Sequence, residues 1–175
     1  MTANLDAMLG PGARTDWCTP PEVLERVYRV GPVALDPCSS AEGIVVATHR
    51  AGPAVPDALC ADGLSFDWAD PDLGEGIVFM NPPFGREVGA WVARARATAA
   101  AGRAVIGLVP ARVDTRWWRE SVAPPKADAV CFWGGRVRFL GAPASAPFPI
   151  ALVYWGDSVA LFSRVFRDVG DLWVP

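Results

Sequence analysis

The 175-residue chain holds one histidine, His49, and one lysine, Lys126. With a single imidazole, His-rich metal centres and Ser-His-Asp hydrolytic designs have little material, so chemistry that needs no histidine is favoured and no metal is expected. The four cysteines, Cys18, Cys38, Cys60 and Cys131, are far apart and form no CxxC pair. That spacing argues for reduced thiols and against a disulfide framework. No stretch approaches the ~18 uninterrupted apolar residues of a membrane span. The opening "MTANLDAMLGPGARTDW" has no basic region followed by an apolar one, so it does not read as a signal peptide and a cytoplasmic location is expected. Residues 1–15 are expected to form a flexible arm, and 16–175 one catalytic domain without a separate target-recognition domain.

What is present is a globular composition, 51% hydrophobic and 20% charged, on a chain long enough to bury a substantial core. The net charge of −3 conceals an asymmetry: residues 1–85 carry a balance of −8, residues 86–138 one of +6, and residues 139–175 one of −1. Fifteen of the sixteen cations are Arg, a residue suited to phosphate contacts. The basic span permits polyanion binding, and a GC-rich genome accounts for the arginines equally well.

The pattern alternates strands and helices. "CTPPEVLERVYRVG" (18–31) reads as a helix with Thr19 as N-cap, prolines in the first turn and Glu22 closing a capping box. "VALD" (33–36), "GIVFM" (76–80) and "AVIGLVP" (104–110) read as buried parallel strands. "REVGAWVARARATAA" (86–100) has helical spacing with Val88, Trp91, Val92 and Ala95 on one face, and "DTRWWRESV" (114–122) reads as a short helix. "DAVCFW" (128–133), "RVRFL" (136–140) and "FPIALVYWG" (148–156) read as further strands, while "VALFSRVF" (159–166) fits strand or helix. Residues 41–61 give mixed signals. The expected fold is α/β, a mostly parallel, doubly wound sheet with an antiparallel strand near the C-terminus. Ligands in such sheets bind beyond the carboxyl ends of the strands. The loops to inspect are therefore "DPCSS", "NPPFG" and "PARVDT".

"NPPF" (81–84) has an unusual chemistry. Proline fixes its own φ and makes the preceding residue extended, so Asn81 and the Pro82 carbonyl are held stiffly. Neither Pro82 nor Pro83 has an N–H, which leaves the local surface rich in acceptors. An amide oxygen beside a rigid carbonyl suits an –NH2 group gripped by both hydrogens. Phe84 then offers a flat, exposed ring for stacking a planar base. The plainer reading is a stiff turn that ends a strand.

This motif resembles the (Asn/Asp/Ser)-Pro-Pro-(Tyr/Phe/Trp) signature of S-adenosylmethionine-dependent amino-methyltransferases. The wider chain resembles the small phage-type, Dam-like DNA N6-adenine methyltransferases. The matching segments are "DWCTPPEVLERV", "LDPCSSAE", "ADGLSFDW", "FMNPPFG", "LVPARVDTRWWRE", "GGRVRF" and "APFPIALVYW", in the family's order from about Asp16 to Trp155. Several short motifs in order are far more specific than one tetrapeptide.

The resemblance implies a Rossmann-like class I methyltransferase domain that takes S-adenosylmethionine and acts on DNA, taken as duplex, inside a bacterial cell or phage-infected host. It implies cofactor contacts from Trp17, Thr19 and Pro20, from Asp36, Pro37 and Cys38, from Asp62, Gly63 and Leu64, and from Asn81. The superfamily's glycine-rich loop after the first strand is absent, with Gly43 the only glycine in reach, and the ribose-binding carboxylate is not identifiable beyond Glu42. Cys38 reads as a small buried residue. Arg112, Asp114, Arg136 and Arg138 are implied as phosphate contacts or loop-closing residues, with surface salt bridging as the alternative.

The implied mechanism uses Asn81, Pro82, Pro83 and Phe84. Asn81 and the Pro82 carbonyl hold the amino group of a flipped-out adenine stacked on Phe84, and N6 attacks the methyl group directly in line. Cytosine N4, an RNA base or a protein amide would suit the same grip, and a non-catalytic cofactor- or DNA-binding subunit is the rival of another class. A second copy or a specificity partner is left open.

Overall fold

The computed structural model describes residues 17–175; the arm expected over 1–15 lies outside the described residues. Seven strands form one mixed sheet: β1 (Val33–Asp36), β2 (His49–Arg50), β3 (Ile77–Met80), β4 (Val105–Pro110), β5 (Ala129–Trp133), β6 (Ile150–Trp155) and β7 (Gly170–Trp173). Their order is β2-β1-β3-β4-β6-β5-β7. The pairs among β2, β1, β3 and β4 are parallel, and β6 is antiparallel to both β4 and β5. β7 runs antiparallel to β5 at the edge, so two strands are reversed where one was expected.

The continuous apolar runs of the central strands follow from burial on both faces. In β6, Ile150, Leu152 and Tyr154 join one core, while Ala151, Val153 and Trp155 join the other. Strand alternation sorts β3 in the same way: Ile77 and Phe79 to the first core, Val78 and Met80 to the second. Helices α1 (Pro21–Val30) and α4 (Val159–Phe166) supply Val23, Leu24, Val27, Phe162, Val165 and Phe166 to the first core. Helices α2 (Val88–Ala100) and α3 (Arg116–Ser121) supply Trp91, Val92, Ala95 and Trp118 to the second. Each Val, Leu or Phe among them contributes about 1.5–3 kcal/mol on burial. No helix among the described residues is long and apolar enough to cross a membrane.

Two local expectations are corrected and one open assignment is decided. The N-cap of α1 is Pro20, in extended conformation, with no side-chain cap. The Thr19 hydroxyl is not engaged at the helix because it accepts from Asn81 instead. "RVRFL" is not a strand. Val137 and Phe139 are buried and Arg136 and Arg138 exposed, but the alternation arises because one side of the 134–149 connection faces an aromatic cluster, not because a ladder forms. Its only β-type pairing among the described residues is an isolated bridge between Leu140 and Cys18. Residues 159–166 resolve as helix, with Phe162, Val165 and Phe166 on its buried face.

Candidate active site

The carboxyl ends of β1 and β3 open into a cavity of about 630 Å³, a size suited to a small-molecule cofactor. It is lined by Trp17, Thr19, Asp36, Pro37, Cys38, Asp62, Gly63, Asn81 and Pro83 from the expected set, and also by Cys18, Ser39, Ser40, Glu42, Gly43, Gly52 and Trp91. Two of the three inspected loops therefore meet there. The third does not: Arg112 lies away from the cavity, 3.6 Å from Asp114 in an ion pair whose carboxylate is largely exposed. Arg136 and Arg138 are exposed and also outside the lining. Pro20, Pro82 and Leu64 are not among the lining residues.

The β1 loop turns on Asp36, which is 4% exposed. Its carboxylate accepts from the Cys38 N–H at 3.0 Å and the Ser39 hydroxyl at 2.7 Å. Burial nevertheless dominates and pushes its pKa up to about 6, against the lowering by Ser39, Cys38 and the nearby Arg50. Burial likewise pushes the Cys38 thiol well above its ordinary range, despite the Asn81 backbone N–H against it. A thiol held protonated is a packing residue.

Glycines from elsewhere in the chain stand in for the missing glycine-rich loop. A Cβ on Gly52 would lie 1.9 Å from the Ser39 carbonyl oxygen, and one on Gly63 1.9 Å from that of Pro37. Both let a neighbouring segment touch the β1 loop backbone, as only glycine can. Gly63 is fixed by the buried Trp68, whose indole donates to its carbonyl at 2.6 Å. Trp68 in turn packs on the cavity-lining Trp91, ring centroids 5.9 Å apart. Asp62 forms the turn itself, accepting from the Leu64 N–H at 2.9 Å, and lines the cavity as well. Arg94 of α2 holds the next residues by donating to the carbonyls of Leu64 and Phe66. Glycines far apart in sequence, whose role is set by backbones they meet in space, leave no local signal; only the Asp62-Gly63 turn was legible.

Asn81 sits at the end of β3. Its Nδ2 donates to the Trp17 carbonyl at 2.5 Å and to Thr19 Oγ1 at 3.1 Å. Both of its side-chain hydrogen bonds among the described residues thus leave from the nitrogen, and Oδ1 remains an acceptor. Phe84 differs from expectation. It is 2% exposed, not an open platform, because Trp17, Phe139 and Phe148 each meet it at interplanar angles of 73–76° and centroid distances of 5.7–5.8 Å. Its side chain is large and apolar, and these rings remove it from water.

The charged side chains lining the cavity are Asp36, Glu42 and Asp62, with no Lys or Arg among the described liners. Such a wall favours a ligand carrying positive charge. The described residues contain no group of three or more His, Cys, Asp and Glu placed to hold a metal ion. Compared with curated proteins, the chain finds no significant match. The family model described as DNA N-6-adenine-methyltransferase (Dam) matches residues 9–168. That match spans nearly the whole chain, and the chain belongs to the Dam family of DNA N-6-adenine-methyltransferases.

Proposed function

We propose that the chain is a single-domain, Rossmann-like methyltransferase that methylates adenine N6 in duplex DNA with S-adenosylmethionine as methyl donor. The observation that carries this is the cavity at the ends of β1 and β3, whose charged lining among the described residues is entirely acidic and whose rim holds Asn81 with no partner for its amide oxygen among those residues. The cofactor has a sulfonium, an ammonium and an adenine amino group, and Asp36, Asp62 and Glu42 suit those groups as counter-charges or acceptors. When bound, it supplies an electrophilic methyl group.

The protein's own part is to hold and orient the amine. Asn81 Oδ1 and the Pro82 carbonyl accept the two N–H bonds of adenine N6, which turns the nitrogen lone pair out of conjugation with the ring. Positive charge that develops on N6 is stabilised by the same two acceptors, fixed in advance by Pro82 and Pro83. Transfer would need no protein nucleophile: N6 would gain the methyl carbon as the methyl–sulfur bond breaks with its electron pair left on sulfur, and the methylated nitrogen would then release one N–H proton past its acceptors to solvent. A base flipped out of the duplex stacks on Phe84, which requires its aromatic cover to part. The 134–149 connection, which carries Phe139 and Phe148 without regular structure, is the segment to move. Its outward Arg136 and Arg138 then meet backbone phosphates.

The test is Asn81→Ala. Methyl transfer should fall by at least about 100-fold, the scale for loss of one preorganised partner of developing charge, while S-adenosylhomocysteine binding stays measurable. Unchanged turnover would refute the role given to Asn81.

A further inference from the structure

Thr19 is 2% exposed, and its oxygen accepts from Asn81 Nδ2. A primary amide has two N–H donors and one acceptor oxygen. In Asn81 both donors are taken by the segment that enters α1, one by the Trp17 carbonyl and one by Thr19 Oγ1. A carbonyl can only accept, so turning the amide over would press Oδ1 against the Trp17 oxygen. The Trp17 carbonyl therefore decides which end of the amide faces the substrate, and Thr19 Oγ1, by taking the second N–H, holds the amide in that orientation.

The segment that imposes this is itself held. The Leu140 N–H donates to the Cys18 carbonyl at 3.0 Å, and Pro20 restricts Thr19 to extended backbone. Resting on the reading of Asn81 as the amine acceptor, we infer that Thr19 is a positioning residue: with the Trp17 carbonyl it latches the Asn81 amide so that Oδ1 alone is presented to the incoming amino group. This differs from a cofactor contact, because Thr19 acts through Asn81 and its loss should appear in turnover, not in cofactor affinity. Preorganisation of this kind matters most where charge develops during the reaction.

The experiment compares the unaltered protein with Thr19→Val, which keeps the shape and removes the acceptor, and with Thr19→Ser, which restores it. With duplex DNA and saturating cofactor, T19V should lower kcat by about 10-fold or more, T19S should recover most of it, and the Kd for S-adenosylhomocysteine should stay within about 2-fold. An unchanged kcat in T19V, or a loss confined to cofactor affinity, overturns the inference. A second readout decides the latch without turnover: hydrogen exchange at the Asn81 side-chain NH2, identified by its absence in N81A. It should be slowed in the unaltered protein and fast in T19V, and fast exchange in both overturns the latch. If the unaltered protein transferred no methyl to adenine, the reading of the acceptor would fail, and the exchange measurement would still decide whether Thr19 orients Asn81.

Discussion

The indole of Trp17 lies parallel to the ring of Phe148, with centroids 5.5 Å apart and planes within 5°, and both meet Phe84 edge to face. One residue thus touches both halves of the NPPF loop: the Trp17 carbonyl holds the Asn81 amide, and its ring covers Phe84. Aromatic pairs of this kind contribute about 0.5–1.5 kcal/mol beyond area burial, a modest sum that a flipped base stacking on Phe84 can replace.

Parting of that stack is expected on substrate binding. Adding duplex DNA with S-adenosylhomocysteine should change tryptophan emission in the unaltered protein, and far less in Trp17→Phe. An emission spectrum that does not respond to DNA in the unaltered protein would mean the aromatic cover stays shut with substrate present.

Gly63→Ala should destabilise the protein by about 1–3 kcal/mol, the range for overpacking, because the added Cβ meets the Pro37 carbonyl at 1.9 Å. The same push displaces the Asp36–Ser39 loop, so cofactor affinity should fall with stability. Gly31→Ala is the control, since its Cβ meets only Ile77 Cγ2 at an ordinary 3.6 Å. Urea denaturation with a cofactor titration checks both; equal behaviour of the two variants would contradict the close approach.

Asp36 makes stability pH-dependent in a definite direction. Its folded-state pKa of about 6 lies above the ordinary 3.8, so between those values the folded state binds more protons than the unfolded one. Its contribution to stability therefore falls as pH rises through that window and is lowest above about 6, where ionised Asp36 costs about 3 kcal/mol. Asp36→Asn should flatten this dependence and raise the melting temperature near pH 7, while weakening cofactor binding. Melting curves from pH 4.5 to 7.5 check it, and an unaltered slope in D36N would count against the assignment.

The sheet was largely legible because its strands are buried on both faces and read as short apolar runs bounded by Gly, Pro and Asp. β2 and β7 were not, because a two-residue strand and a half-exposed edge carry no such run. The cavity was legible in Asp36, Asp62 and Asn81, which line it and sit where strands or turns end. Thr19 was read as an N-cap because a threonine before two prolines fits that local rule, while its actual partner lies 62 residues away. Phe84 was read as exposed for the same reason: the rings that cover it, at 17, 139 and 148, come from distant segments. Tertiary partners decided both positions, and local pattern could not name them.

The central claim is that the amine held by Asn81 is adenine N6 in DNA. Its most direct test is incubation of the protein with duplex DNA and methyl-labelled S-adenosylmethionine, followed by digestion and nucleoside analysis. Label is expected in N6-methyladenine and absent when N81A replaces the unaltered protein. Label in N4-methylcytosine, label in protein, or none in DNA would contradict the claim.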